Sequence, residues 1–194
     1  MRPLAVLVRG HAPGRGATHG EWSEYDALPE YMIAAELRLR ALGVDVIRLE
    51  MGSLGDRQRR GVEAIEAHRK VYAGAPCIYV SCHLNAGGMA DQRSVLFHDH
   101  RSSGGARACR AIGRALGTVY DWRTIIWAAK PDDWLARPFN CIQNVYAAPP
   151  SNCSAVLVEL ASVDREPLTI GLLRKGGAEL GTGIAEHLSS EPTA

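Results

Sequence analysis

The sequence lacks an excess of charge of either sign. Its 194 residues include 22 Lys and Arg and 21 Asp and Glu, so the formal net charge is +1. Proteins that bind nucleic acids or anionic membranes through general electrostatics carry a clear basic surplus. We therefore expect neither partner. With 46% hydrophobic and 22% charged residues, the composition is that of an ordinary globular domain with one core.

Long hydrophobic runs are also missing. No apolar stretch approaches the length of a membrane-spanning helix, and the run Leu4–Val8 is too short for the core of a signal peptide. No internal repeat or low-complexity linker appears. We therefore expect synthesis in the cytoplasm without a signal peptide, no membrane insertion, and some other release route for any action outside.

Cysteine is scarce, and its spacing excludes the common paired motifs. None of the five cysteines forms a CxxC pair, so a zinc ribbon or a redox motif is unsupported, and a reducing compartment is the simpler expectation. Cys82 or Cys153 with a histidine would instead suggest a cysteine peptidase. Against this alternative, Cys82 and His83 are neighbours on a strand and point to opposite faces.

Short apolar strands alternate with amphipathic helices along the chain. This order predicts one three-layer α/β domain over residues 1–188, with a mostly parallel, twisted sheet of about six strands, and a flexible tail over 189–194. The segment Gly117–Phe139 fits neither periodicity and holds three of the four tryptophans. The predicted strands are Leu4–Val8, Val44–Leu49, Cys77–Ser81, Ser94–His98, Cys141–Tyr146 and Ala155–Leu160; the predicted helices are Glu30–Leu42, Asp56–Tyr72, Gly105–Leu116 and Gly177–Leu188.

Polar residues with useful chemistry follow or close three of these strands. His11 comes three residues after the first strand, His83 two residues after the third, and Glu159 lies near the end of the last. In open α/β sheets, ligands collect at the carboxyl ends of the strands, so these side chains should converge. Glu159 interrupts an apolar strand of the fully buried type. Its pKa should therefore be raised, which suits proton transfer.

Histidine nitrogens and carboxylate oxygens are ligands that catalytic zinc prefers, and three of them leave a position for water. Glu24 is a candidate third ligand beside the two histidines. It also reads as an ordinary helix-start carboxylate with Ser23 as the cap. Other candidates in the same segment are His19, Glu21 and Asp26.

Several short motifs occur in a fixed order. A strand runs into Gly10-His11, Glu24 precedes a helix that stops at Gly43, Leu54-Gly55-Asp56-Arg57 opens a helix, one strand ends in Ser81-Cys82-His83-Leu84-Asn85-Ala86, and another reads Val156-Leu157-Val158-Glu159. In this order and spacing, over residues 4 to 188, they resemble the zinc-dependent N-acetylmuramoyl-L-alanine amidases, the catalytic domains of bacterial autolysins and phage endolysins.

The chain departs from that family around its first histidine. Arg9 and Ala12 replace the usual Pro and Gly that flank the Gly-His pair, and Pro29 falls where the first helix is normally continuous. Because proline is tolerated only in a first helical turn, we expect this helix to start near Pro29 or to kink there.

The resemblance implies one Zn²⁺ per chain, held by His11, Glu24 and His83, with Glu159 as the catalytic residue. In the family the ligand Glu precedes a helix that ends in Gly, and the distance to Gly43 fits this plan better from Glu24 than from Glu21. The implied activity is hydrolysis of the peptidoglycan amide bond between N-acetylmuramic acid and the L-alanine of the stem peptide. The implied enzyme is of endolysin or autolysin type and would act on the cell wall after a holin-type or other release. We expect a monomer without a separate cell-wall-binding domain. Expected substrate contacts are Asn85, Arg57, Trp127 and Asn144, with Trp122 and Trp134 as further candidates for lining a groove.

Other functions stay open at this stage. One is a zinc peptidase or amidohydrolase that acts on another peptide, and another is a peptidoglycan-binding relic without catalysis. His98 and His100, with Asp99 between them, form an alternative metal pair, but they leave the buried Glu159 unexplained.

Overall fold

The computed structural model describes residues 2–86, 91–130, 153–165 and 168–191. Within these ranges the chain forms eight strands and four helices. The strands are β1 Leu4–Arg9, β2 Thr18–His19, β3 Trp22–Ser23, β4 Asp45–Leu49, β5 Cys77–Asn85, β6 Arg93–Asp99, β7 Arg123–Ala129 and β8 Cys153–Ser162. The helices are α1 Glu24–Ala41, α2 Leu54–Val71, α3 Ser103–Leu116 and α4 Ile170–Ser190.

Six of the strands form one sheet in the order β4-β1-β5-β8-β6-β7. Among the five neighbouring pairs, β6 with β8 is antiparallel and the other four are parallel. The strands β4, β1, β5 and β8 therefore end at one edge of the sheet, whereas β6 and β7 end at the opposite edge. The predicted mostly parallel α/β class is confirmed.

Helices cover both faces of this sheet, which makes three layers. The helices α1, α3 and α4 pack together on one face, where Leu28, Ile112 and Ile184 belong to the larger apolar cluster. The helix α2 packs on the other face, where Ile65 and Val6 belong to a second cluster. Strands that are apolar along their whole length are expected when both faces of a parallel sheet are covered.

Two strands of the six-stranded sheet differ from the sequence-based prediction, and the short strands β2 and β3 were not predicted. The edge strand β7 was not predicted, because its residues show no regular alternation of buried and exposed positions. The strand β5 runs to Asn85, four residues past its predicted end at Ser81, so His83 lies within the strand and not beyond it. The predicted strand Cys141–Tyr146 lies outside the described residues.

The first helix begins earlier than predicted. It starts at Glu24 and contains Pro29 at its sixth position, so the expectation of a start near Pro29 was wrong. The amide of Glu24 donates to the carbonyl of Ala17 at 2.8 Å, which anchors the new start. Ser23 occupies the cap position but forms no side-chain capping bond.

The last helix runs through Ser189 and Ser190, two residues past the predicted beginning of the tail. Cys77, Cys82, Cys109 and Cys153 are free thiols. Across the described ranges, no helix combines the length and the apolar composition needed to span a membrane.

Candidate metal centre

The carboxyl ends of β1, β5 and β8 bring the predicted site residues to one edge of the sheet. His11 lies two residues beyond the end of β1. His83 on β5 is the register partner of Glu159 on the neighbouring strand β8. Glu24 reaches the same edge from the first turn of α1. The convergence predicted from strand order is therefore present in the structure.

One atom each of His11, Glu24 and His83 lies within 4.8 Å of the other two. His11 Nε2 is 3.4 Å from Glu24 Oε2, and His83 Nδ1 is 3.2 Å from Glu24 Oε1. The two imidazole rings are 4.9 Å apart between centroids and nearly perpendicular, at 89°. Within the described ranges, this is the only group of three or more possible metal-ligating side chains.

Glu24 is held as a buried carboxylate. It is 1% exposed, its Oε2 accepts from the amide of Ala17 at 2.9 Å, and its Oε1 accepts from the amide of Leu84 at 3.1 Å. Burial opposes its ionisation, but the hydrogen bond and charge of His83, together with Ala17 and His11, lower the pKa of Glu24 below its ordinary value. It is therefore an anion at neutral pH. The competitors His19, Glu21 and Asp26 are exposed.

The two histidines differ in their surroundings. Burial is the main cause that lowers the pKa of His11, which keeps its imidazole neutral and able to bind a metal. Burial also acts to lower the pKa of His83, but Glu24 and Glu159 outweigh it and raise that pKa. Ser81 Oγ lies 3.1 Å from His83 Nε2, so the serine partners one ring nitrogen while Nδ1 faces Glu24. Such a partner fixes the orientation of a ligand ring.

Two glycines make room for these ligands. A Cβ at Gly10 would overlap the ring of His83. Gly16 has a φ of +102°, and a Cβ there would lie 2.7 Å from Glu24 Oε2 and 3.0 Å from the His11 ring. The loop between β1 and α1 therefore requires Gly16 both for its backbone conformation and for the close approach of two ligands.

Glu159 lies beside the cluster with one oxygen unsatisfied. Its Oε2 is buried and has no hydrogen-bond partner. Burial is the largest cause that raises the pKa of Glu159 to about 7, and the nearby Glu24 adds to the effect while His83 opposes it. A carboxyl group that titrates near neutrality can both take up and release a proton.

Arg57 does not offer the substrate contact that was predicted for it. It has 0% exposure, and its Nη1 donates to the carbonyls of His11 and Glu50, each at 3.0 Å. The arginine of the Leu-x-x-Arg motif therefore supports the backbone of the loop that carries His11.

The other predicted substrate contacts are only partly placed. Asn85 ends β5, and its side chain accepts from the amide of Ala86 at 2.8 Å, which is a turn role. Trp127 is 41% exposed on β7, two strands away from β8 and on the same face as Glu159. Trp122 is partly buried and donates to Ser94 Oγ. Asn144 and Trp134 lie outside the described residues. Substrate binding by Asn85 and Trp127 stays a prediction.

The rival sites are separate from this centre. The strand β6 ends at the opposite edge of the sheet, so the pair His98 and His100 points away from Glu159. Asp99 accepts three bonds from Arg101, which occupy its carboxylate. Cys82 belongs to the buried cluster on the α1 face, and burial raises the pKa of its thiol to about 12. This environment does not suit a nucleophilic thiolate.

Two supporting residues of the centre, Ser81 and Gly16, were not predicted. Ser81 could have been found, because it lies two positions before His83 and so on the same face of the strand. Gly16 could not, because its role depends on a positive φ and on close contacts with His11 and Glu24 that only the folded loop creates.

No family model matches the chain, and no curated protein matches it by sequence. Solved structures do resemble it. Cwp6 from Clostridium difficile aligns with a TM-score of 0.73 and 20% identity, over 96% of this chain and 29% of that one. The N-acetylmuramoyl-L-alanine amidase AmiC2 of Nostoc punctiforme aligns with a TM-score of 0.69 and 17% identity, over 96% of this chain and 97% of that one. The catalytic domain of the CD27L endolysin targeting Clostridia difficile aligns with a TM-score of 0.64 and 18% identity, over 95% of this chain and 98% of that one.

These likenesses establish the fold. The chain has the α/β fold of N-acetylmuramoyl-L-alanine amidase catalytic domains, as its motifs predicted. It spans less than a third of the length of Cwp6 and nearly the whole of the other two.

Proposed function

We propose that this protein is a peptidoglycan hydrolase, a zinc-dependent N-acetylmuramoyl-L-alanine amidase. The observation that carries the proposal is the cluster of His11, Glu24 and His83 at the carboxyl edge of the sheet, with Glu159 beside it. The fold shared with amidase catalytic domains supports the same conclusion.

The donor set of the cluster fits zinc. Two imidazole nitrogens and one carboxylate oxygen are the ligands of a catalytic site that keeps a position for water. The buried Oε2 of Glu159 has no hydrogen-bond partner, which is costly for a carboxylate oxygen. A water molecule on the ion would supply that partner. The ion, when bound to His11, Glu24 and His83, would lower the pKa of a water molecule and polarise the scissile carbonyl.

The other residues of the site orient the ligands and transfer the proton. Ser81 and the amides of Ala17 and Leu84 orient ligand side chains. Glu159 accepts the proton of the attacking water and delivers it to the leaving amine. In the proposed substrate this amine is the α-amino group of the stem-peptide L-alanine. Because the same carboxyl gives up and regains a proton, a pKa near 7 suits both halves of the reaction.

The exposed ring of Trp127 on the Glu159 face is a candidate surface for the sugar or the peptide. Since the chain covers 98% of the CD27L endolysin catalytic domain, we place it among lytic enzymes of endolysin or autolysin type. Such an enzyme acts on the cell wall after a holin-type or other release.

The assignment of Glu159 is tested with the Glu159→Ala variant. We expect this variant to bind one zinc ion per chain, as the wild type does, and to lose peptidoglycan hydrolysis by a factor of about 10² to 10⁴, the usual contribution of a general acid or base. Zinc is measured by elemental analysis and hydrolysis by release of soluble muropeptides. Wild-type turnover in the variant would show that the role is wrong.

A further inference from the structure

Arg9 is a buried cation next to the first ligand. It ends β1 immediately before Gly10-His11 and is 5% exposed. A buried guanidinium requires partners to offset its lost hydration. Its Cζ lies 3.3 Å from the centroid of the Tyr25 ring, its Nη2 donates to the carbonyl of Tyr25, and its Nη1 is 3.7 Å from Glu50 Oε2.

The Tyr25 carbonyl needs a donor because of Pro29. In an α-helix the amide of residue i donates to the carbonyl of residue i−4, so residue 29 would serve Tyr25. Proline has no amide hydrogen, and Pro29 lies inside α1 beyond the first turn, where a missing bond is costly. Arg9 supplies the donor that Pro29 cannot.

The same contact joins the two segments that carry ligands. Arg9 is two residues before His11, and Tyr25 directly follows Glu24. The contact therefore runs from the end of β1 to the first turn of α1, close to the point where Glu24 faces His11 at 3.4 Å. Its strength combines a charge-assisted hydrogen bond with a cation–π contact in a desolvated place.

We propose that Arg9 is a positioning residue of the metal centre, which acts through Tyr25 to hold His11 and Glu24 at the separation that one ion requires. This inference rests on the proposed zinc site. It also makes Arg9 and Pro29 a coupled pair, because the need for the guanidinium at the Tyr25 carbonyl is created by the proline.

The test is a competition titration of Zn²⁺ against a chromophoric chelator on the full chain. The Arg9→Met variant should bind zinc about 10- to 100-fold more weakly, the loss that removal of a partner outside the ligand set typically gives. Adding Pro29→Ala restores an amide at residue 29, and the double variant should recover a large part of that affinity. Pro29→Ala alone should change zinc binding little, since the wild-type Arg9 is in place.

Two control variants separate positioning from general destabilisation. Arg48 lies on the strand β4 and, like Arg9, pairs with Glu50; its Nε is 2.7 Å from Glu50 Oε1. The Arg48→Met variant removes this arginine and leaves Arg9 in place. Ile65→Ala weakens the core on the other face of the sheet. Both should keep zinc affinity within about threefold of wild type, well below the effect at Arg9.

Each outcome decides the question. Equal zinc affinity in Arg9→Met and wild type would overturn the inference, and so would a Pro29→Ala effect that is the same with and without Arg9. If Arg9→Met does not fold, Arg9→Lys decides, because it keeps the charge near Glu50 but loses the planar fork. It should bind zinc severalfold more weakly, and unchanged affinity would refute the role. Failure of the wild type itself to bind zinc would instead refute the proposed function.

Discussion

Gly16 offers a sharp test of the centre, because a single methyl group there meets two ligands. In Gly16→Ala, the new Cβ would lie 2.7 Å from Glu24 Oε2, where ordinary contact begins near 3.4 Å. The carboxylate must therefore move by about 0.7 Å, several times the roughly 0.2 Å tolerance of a zinc–ligand bond. We expect zinc affinity to fall about 10- to 100-fold, as for other losses of ligand orientation.

The positive φ of Gly16 adds a separate loss of folding stability in the alanine variant. A control variant at a glycine with a similar φ shows how much of the effect comes from the backbone alone. At the φ of +102° an alanine costs on the order of 1–3 kcal/mol of stability. Gly52 has a φ of +100°, and a Cβ there would meet only Asp56 at an ordinary 3.5 Å. Gly52→Ala should therefore lose similar stability in urea unfolding while keeping its zinc affinity. If Gly16→Ala bound zinc as tightly as Gly52→Ala, the crowding argument would fail.

Two further predictions concern other buried polar groups. Ser81→Ala should weaken zinc binding about 10-fold, because His83 loses the partner of its Nε2, whereas Ser94→Ala, at a buried serine away from the cluster, should not. Equal titrations for the two variants would contradict the role of Ser81. Burial is the main cause that lowers the pKa of His187 to about 4 from 6.5. Below pH 6.5 the unfolded chain therefore binds more protons than the folded one, and the stability of the fold decreases as the pH falls towards 4. Between pH 7.5 and 5 the wild type should lose about 2 kcal/mol more than His187→Gln in urea unfolding, and parallel pH profiles would refute this.

Two strands at the site, β1 and β8, were predictable, because each is a nearly continuous apolar segment with both faces buried. Leu4–Val8 and Ala155–Leu160 were each found to within two residues at either end. The edge strand β7 was not, since an edge strand with exposed residues on both faces has no periodic pattern. Local propensity also misplaced the start of α1, because the bond that replaces the missing amide of Pro29 comes from Arg9 on β1.

Strand order pointed to His11 and His83, the family resemblance added Glu24, and the structure brings the three side chains together. The residues that hold these ligands in place could not be predicted in the same way. Arg57 was expected at the substrate, but it bonds the backbone of His11 from a position without solvent exposure. A sequence shows which side chains carry suitable chemistry. Which of them face the substrate and which hold the others in place depends on contacts between distant segments.

The central claim is that this chain uses zinc to cleave the amide between N-acetylmuramic acid and L-alanine. The direct measurement is mass spectrometry of muropeptides from purified peptidoglycan, digested by the metal-analysed protein with and without a chelator. We predict stem peptides with a free amino-terminal L-alanine and unsubstituted muramic acid, both abolished by the chelator and restored by Zn²⁺. Cleavage within the peptide would contradict the bond assignment, and the absence of any product from the zinc-loaded protein would contradict the enzymatic function.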